Sequence, residues 1–144
     1  MAAELRETVS TRLRRASQRL TPNRERIVDV LAGATRPLTI TEILAAANGL
    51  AQSSVYRNLV VLEQAGVVHR IVTHDEFARF ELTEELTGHH HHLICSQCGM
   101  IEDVPASAGL EESVRDAVTQ ITRATGFRTE HHRIDLVGVC GRCG

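Results

Sequence analysis

Two Cys-x-x-Cys pairs, separated by 41 residues, constrain this chain more than any other feature. Cys95 and Cys98 form the first pair, and Cys140 and Cys143 form the second. Two such turns can supply four thiolates to one tetrahedral Zn²⁺ ion, at Zn–S distances of about 2.3 Å. A compact zinc ribbon has only about 15 to 20 residues between its pairs, so a small folded unit must lie between these two. We predict a structural zinc site that closes a subdomain. Redox motifs or disulfides are the alternative, but no redox βαβ pattern precedes Cys95.

Four consecutive histidines, His89 to His92, lead directly into the first Cys pair. The run is internal and has no linker, which is unlike an engineered tag. If the segment is extended, alternate side chains point to opposite faces. His90 and His92 then share one metal site, and His89 and His91 serve another.

The charge is unevenly divided along the chain. Residues 1–70 contain ten Arg and six acidic residues, whereas residues 71–144 contain six Arg and twelve acidic residues. A basic first half and an acidic, His- and Cys-rich second half indicate a polyanion binder joined to a cation binder. The sequence shows neither a membrane span nor a secretory signal. We therefore expect a cytoplasmic protein, in a compartment that keeps the thiols reduced.

The first half has the hydrophobic periodicity of successive helices. Thr21 is a good N-cap before Pro22, and Thr39 with Glu42 matches a capping box. Gly33 and Asn48-Gly49 end two of these helices. The predicted helices span residues 4–19, 21–33, 39–49 and 53–66.

Two β-prone runs, residues 67–72 and 78–82, follow the last of these helices and predict a hairpin. Helices followed by a hairpin are the layout of a winged helix-turn-helix, in which the second helix of the motif enters the DNA major groove. Near the start of that helix, Ser53 and Arg57 face outward, with Ser54 and Tyr56 on the flanks. A plain helical core with a decorated surface is the alternative.

After a linker at residues 83–88, the chain predicts a small α/β unit. Residues 100–104 and 134–139 read as strands, and residues 110–126 as an amphipathic helix. So small a unit is expected to pair across a homodimer. The predicted fold class is α+β, with a winged helix-turn-helix DNA-binding domain at residues 1–82 and a small α/β metal-binding dimerisation domain at residues 89–144.

These motifs resemble the ferric uptake regulator (Fur) family of metal-responsive transcription factors. The resemblance covers nearly the whole chain, from about Arg19 to Cys143. Its most specific parts are Ser54 to Arg57, Phe80 to Leu82, His89 to Cys98, and Cys140 to Cys143. It implies a homodimer whose C-terminal domain binds metal and sets the spacing of two winged-helix domains.

The resemblance also implies ligand sets. The four cysteines match the structural zinc site. Glu81, His90 and His92 match a regulatory site at the hinge. His89, His91, His132 and an acid at the start of the long helix, Glu111 or Glu112 with Glu111 favoured, match an additional site. Arg19 resembles a basic residue that reaches an A·T-rich minor groove.

One departure concerns the regulatory site. Many iron-type members have a His where this chain has Pro37. His69 aligns instead with an acidic ligand of zinc-sensing members, so the predicted regulatory set is His69, Glu81, His90 and His92.

The resemblance predicts a repressor of metal-homeostasis genes, locked as a homodimer on an A·T-rich palindromic operator by a divalent metal. Fe²⁺ or Zn²⁺ is favoured for the regulatory site, with Mn²⁺ and Ni²⁺ as possibilities. An iron-based peroxide sensor of the same family and a metal store or chaperone remain as alternatives. We do not expect an enzyme, because the sequence has no HExxH helix and no nucleophile motif.

Overall fold

The computed structural model describes all 144 residues and contains two three-stranded sheets. The helices are α1 (Ala3–Arg15), α2 (Pro22–Ala32), α3 (Ile40–Ala46), α4 (Gln52–Gln64), α5 (Glu84–Thr87) and α6 (Ala108–Thr125). The strands are β1 (Leu38–Thr39), β2 (Val68–Val72), β3 (Ala78–Leu82), β4 (His90–Cys95), β5 (Ile101–Pro105) and β6 (Asp135–Gly138). This mixture of helices and sheets confirms the α+β class. None of the helices has the length and apolar character needed to cross a membrane.

Helices α2 and α3 begin where their capping residues predict. The Thr21 hydroxyl accepts a hydrogen bond from the Arg24 amide, and Pro22 occupies the first helical position. At α3, Thr39 and Glu42 form the complete capping box, and the Arg36 guanidinium donates to the Glu42 carboxylate at 2.7 Å. These caps satisfy amide groups that the helix cannot pair internally.

Helices α1 to α4 pack on the hairpin around a core of 13 buried residues, all of which lie between Val9 and Leu82. The residues spaced along one face of α4 that were predicted to be buried, Val55, Leu59 and Leu62, are 1% exposed or less. Strands β2 and β3 are antiparallel, with His69 directly opposite Glu81. The short strand β1 completes the sheet beside β3 and was not predicted, because two residues carry no periodicity.

The second sheet has the order β5-β4-β6, so the histidine strand is central. Strand β5 is antiparallel to β4, with Asp103 directly opposite His92, and β6 is parallel to β4. The predicted linker at residues 83–88 contains α5, a single helical turn that carries Glu84 and Glu85. Beyond Leu82, the buried side chains are those of Cys95, Ile101, His91 and His92.

Candidate metal centres and DNA-binding helix

Four thiols come together at the end of the second sheet. Cys95 ends β4, Cys98 lies in the following turn, and Cys140 and Cys143 follow β6. The ligand atoms of the four cysteines lie within 4.8 Å of one another. The Sγ atoms of Cys98 and Cys140 are 3.8 Å apart, close to the separation of about 3.8 Å that tetrahedral geometry gives for Zn–S bonds of about 2.3 Å. The donor set and its spacing therefore fit a Zn²⁺ ion.

Backbone amides favour the thiolate form of Cys95. The Cys140 amide donates to Cys95 Sγ at 3.3 Å, and amides of Cys98 and Cys140 lower the pKa of the Cys95 thiol to about 6. A thiolate is the form that binds metal. The turn that holds Cys98 is fixed to β6, because the Ser96 amide donates to the Gly138 carbonyl at 2.7 Å.

The second group, which we call the hinge cluster, consists of Glu81, His90, His92 and Asp103. Glu81 Oε2 lies 3.1 Å from His90 Nε2 and 3.2 Å from His92 Nε2, and Asp103 Oδ1 lies 3.7 Å from His92 Nε2. For tetrahedral metal–ligand bonds of about 2.0 to 2.2 Å, neighbouring ligand atoms are about 3.3 to 3.6 Å apart. Glu81 belongs to the first sheet and the other three residues to the second, so one ion here would join the two halves of the chain.

The ring nitrogens not facing the cluster are held in place. His90 Nδ1 lies 3.0 Å from the Gly88 carbonyl, and His92 Nδ1 lies 3.2 Å from the carboxylate of Asp135. A carbonyl or carboxylate at Nδ1 requires the N–H there, which leaves Nε2 free to bind metal. The sequence reasoning missed Asp135.

The pKa values of the hinge-cluster residues are shifted by burial and by the charges of their neighbours. Burial would raise the pKa of Glu81, but hydrogen bonding and charge from His92 and His90 outweigh burial and lower it. Burial would lower the pKa of both histidines, yet the Gly88 carbonyl and Glu81 raise that of His90, and Glu81 and Asp135 raise that of His92. Burial raises the pKa of Asp103. Asp103 Oδ1 is buried without a hydrogen-bond partner, which is a cost that a bound cation would remove.

The hinge cluster differs from the predicted regulatory set by one residue: Asp103 is grouped with the other ligands, and His69 is not. Asp103 reaches the cluster because it lies directly opposite His92, where paired side chains share one face of the sheet. His69 belongs to the first sheet and lies opposite Glu81. Its Nε2 atom is buried and unpaired, in a polar cavity that Glu81 and His92 also line. The antiparallel partner of the histidine strand was the signal that could have identified Asp103.

The third group, the helix cluster, consists of His89, His91, Glu111 and His132. The Glu111 carboxylate lies 2.6 Å from His91 Nε2 and 3.0 Å from His132 Nε2. His89 Nε2 lies 3.0 Å from His132 Nε2. A hydrogen bond with His91, assisted by the charges of the other two histidines, lowers the pKa of Glu111. Glu111, not the exposed Glu112, is the acid brought to this site.

The alternation of side chains along β4 therefore divides the four histidines between two clusters, as predicted. His90 and His92 share the hinge cluster, and His89 and His91 share the helix cluster.

The predicted DNA-binding residues lie at the start of α4. Tyr56 is 57% exposed, Ser53 and Arg57 are also exposed, and Ser54 is half-buried. The Arg57 Nε donates to the Ser53 carbonyl at 3.3 Å. Arg19 is exposed just before α2, and its carbonyl accepts a hydrogen bond from Arg24 at 2.6 Å. These side chains form a polar surface with free donors, as recognition of DNA requires.

Comparisons with known proteins identify relatives of this chain. The model of the ferric uptake regulator family matches residues 15–137. The peroxide operon regulator of Bacillus subtilis is 34% identical over 146 residues, covering 99% of this chain and 94% of that protein. The peroxide-responsive repressor PerR of Staphylococcus epidermidis is 32% identical over 145 residues, covering 97% and 90%.

Solved structures share the fold. The ferric uptake regulator of Helicobacter pylori superposes with a TM-score of 0.77 at 24% identity, covering 97% of this chain and 91% of that one. A zinc-bound manganese uptake regulator gives a TM-score of 0.64 at 26% identity, covering 92% and 98%. With a family match across most of its length, this chain belongs to the ferric uptake regulator family of metal-responsive transcription regulators.

Proposed function

We propose that a divalent metal ion at the hinge cluster locks the winged helix against the second sheet and so converts the protein into a DNA-binding repressor of metal-homeostasis genes. The observation that carries this proposal is that Glu81 comes from β3, whereas its three partner ligands come from β4 and β5. A complete ligand set exists only when the two halves are in this arrangement. The ion therefore has different affinities for open and closed forms, which is what a metal switch requires.

The energy needed for this switch is modest. Strengthening DNA binding a hundredfold requires about 2.7 kcal/mol of coupling. Binding of Zn²⁺ at structural four-ligand sites provides about 10–16 kcal/mol. The hinge ion can therefore drive the switch with a fraction of its binding free energy.

We propose Fe²⁺ or Zn²⁺ as the hinge ion, with Mn²⁺ and Ni²⁺ as the other metals to be tested. Two imidazoles and two carboxylates suit several first-row metals, and geometry rather than affinity alone decides among them. A Zn²⁺ ion is proposed for the four cysteines, and a further divalent ion for the helix cluster. His69 is proposed as a nearby residue that tunes the hinge site, because its unpaired Nε2 shares a cavity with Glu81 and His92.

The proposed assembly is a homodimer built by residues 89–144, with residues 83–88 as the hinge and residues 1–82 as the DNA-binding domain. Helix α6 has no buried residue, and every residue of β6 is exposed. The large exposed apolar side chains on this part of the chain include Ile121, Phe127, Leu136 and Val137. So much apolar surface is typical of a subunit interface.

The proposed operator is an A·T-rich palindrome, since a palindrome mirrors the two-fold axis of a dimer. Tyr56 would contact thymine methyl groups or phosphates, and Arg57 would contact phosphates. Arg19 would reach the minor groove, and Ser53 and Ser54 would lie beside the DNA backbone. A regulator that binds DNA and needs reduced thiols belongs in the cytoplasm, and no step of this function requires catalysis.

Fluorescence anisotropy with an A·T-rich palindromic duplex from the gene's own upstream region tests the proposal. The protein keeps its thiol-bound zinc but is stripped of labile metal, and Fe²⁺, Mn²⁺, Zn²⁺ and Ni²⁺ are added separately at buffered free concentrations. We expect one metal to tighten binding at least about tenfold, which is about 1.4 kcal/mol. His90→Ala should abolish this response. His74→Ala, an exposed histidine outside the three clusters and outside the cavity beside His69, should retain it. If no metal changes binding, the hinge switch is wrong, and a metal store becomes the better explanation.

Peroxide sensing is a second candidate, favoured because relatives that are 32–34% identical over nearly the whole chain are named peroxide regulators. In this case a redox-active hinge ion would direct the oxidation of His90 or His92. Peroxide would transfer one oxygen atom to an imidazole carbon, the ring would lose two electrons, and water would leave. Mass analysis of the peptide that contains both histidines, after exposure to peroxide with Fe²⁺ or with Zn²⁺, tests this. Addition of one oxygen atom in the presence of Fe²⁺, but not in the presence of Zn²⁺, would support peroxide sensing. An unmodified peptide under both conditions would exclude it.

A further inference from the structure

The loop of the β2–β3 hairpin, residues 73–77, is organised by one ion pair. The Arg79 guanidinium donates to both carboxylate oxygens of Asp75, at 2.7 and 3.0 Å. The same carboxylate accepts from the Thr73 hydroxyl at 2.6 Å and from the Phe77 amide at 3.2 Å. Arg79 is only 8% exposed. We call this loop the wing loop; its hydrogen bonds hold it in a single shape.

The Asp75–Arg79 pair lies directly against Gly99, in the turn that follows Cys98. Gly99 is buried, and its amide donates to the Cys95 carbonyl at 3.0 Å. A Cβ atom at Gly99 would lie 2.1 Å from Asp75 Oδ2 and 3.2 Å from Arg79 Nη2. Only a hydrogen atom fits between the turn and the carboxylate. The two halves of the chain are therefore in close contact here, at a point outside the hinge cluster.

The requirement for glycine at this position has two separable parts. Gly99 has a φ of +72°, which is costly for other residues, and Gly126 has nearly the same φ of +71°. A Cβ atom at Gly126 would have no atom within 4 Å. The two glycines are thus matched in backbone conformation and differ in the contact with Asp75.

We propose that Asp75 is a positioning residue, and that its contact with Gly99 transmits the state of the four-cysteine site to the wing loop. The turn that carries Gly99 also carries Cys98, so anything that reshapes this turn moves the surface on which Asp75 rests. The wing loop follows, because Asp75 holds the Phe77 amide and the Arg79 side chain. This link between thiol site and DNA-binding half needs no ion at the hinge cluster.

A double-mutant cycle tests the contact. Hydrogen exchange at the Glu76 amide, which donates to the Thr73 carbonyl at 3.2 Å and keeps this acceptor in every variant, reports the wing loop. It is measured in zinc-loaded protein without hinge metal, for Gly99→Ala, Asp75→Ala and the double variant, with Gly126→Ala as the control. We expect Gly99→Ala to speed exchange about tenfold, corresponding to about 1.4 kcal/mol of coupling between contacting residues. In the Asp75→Ala background the same substitution should change exchange less than about twofold. Gly126→Ala should leave exchange at the Glu76 amide unchanged.

Each other outcome overturns the proposal. Equal effects of Gly99→Ala and Gly126→Ala on the wing loop would mean that backbone strain alone is responsible. Additive effects of Gly99→Ala and Asp75→Ala would mean that the two residues are not coupled. If Gly99→Ala does not fold although Gly126→Ala does, Asp75→Ala in the same chain should restore folding, and failure to do so refutes the contact. The metal response of DNA binding, which tests the hinge switch, is measured separately and stands or falls without this result.

Discussion

The Asp103→Asn substitution tests whether Asp103 is a metal ligand. If it is, the substitution should weaken metal binding and yet stabilise the metal-free protein. Asn keeps the shape of the side chain and removes the charge. Asp103 supplies one of the four ligand atoms of the hinge cluster. A four-ligand zinc site provides about 10–16 kcal/mol, which is about 2.5–4 kcal/mol for each ligand. We therefore expect Asp103→Asn to weaken metal binding about 60- to 700-fold.

The metal-free protein should respond in the other direction. Asp103 Oδ1 is buried without a hydrogen-bond partner, and burial together with the charge of Glu81 raises the pKa of this carboxyl. Removing the charge therefore relieves a penalty, and we expect Asp103→Asn to stabilise the metal-free protein by about 1 kcal/mol at neutral pH.

The assay is a competition titration against a fluorescent chelator, paired with denaturant unfolding of the metal-stripped protein. Glu102→Gln is the matched control, because Glu102 is the exposed neighbour on the same strand and lies opposite Leu93. It should change metal affinity less than about twofold. An Asp103→Asn variant that keeps its metal affinity, or that loses stability without metal, would show that Asp103 is not a hinge ligand.

Three further predictions concern other parts of the molecule. Cys98→Ser should release the thiol-bound zinc, measured by mass spectrometry of the native protein, because one of four thiolates is lost. Glu42→Ala should lower the free energy of unfolding by about 1 kcal/mol through loss of the capping box and the Arg36 pair. The Arg36 hydrogen bond lowers the pKa of Glu42 from its ordinary value, so the charge-dependent part of this difference should be fully present well above the ordinary pKa and be lost as the pH falls through the lowered pKa. Ile121→Arg, on the exposed face of α6, should convert dimer to monomer in sedimentation velocity, and an unchanged dimer would place the interface elsewhere.

Local chemistry made much of this fold predictable. Thr39 and Glu42 marked the start of α3 without any knowledge of the tertiary structure. The spacing of Val55, Leu59 and Leu62 identified the buried face of α4. The alternation of a strand was enough to separate His90 from His89. Each of these inferences depends on residues that are near one another in the sequence.

The hinge cluster shows where such inference ends. Asp103 joins it through the pairing of β4 with β5, and His69 remains outside although it lies opposite Glu81. Register between strands is set by the whole sheet, and nothing within a few residues of Asp103 encodes it. The packing of Gly99 on Asp75 is of the same kind, since it joins turns from two different sheets.

The uneven distribution of buried residues has a consequence for the amount of protein present. The 13-residue core ends at Leu82, and residues 83–144 bury few side chains of their own. In the proposed homodimer, the second half completes its core with a partner subunit, so its folding free energy includes a term in subunit concentration. On dilution the metal-binding half should loosen first, while the winged helix stays folded on its own core. The number of gene copies would then affect DNA binding as well as metal does. At too low a protein concentration, the DNA-binding domains would lack the dimer that sets their spacing.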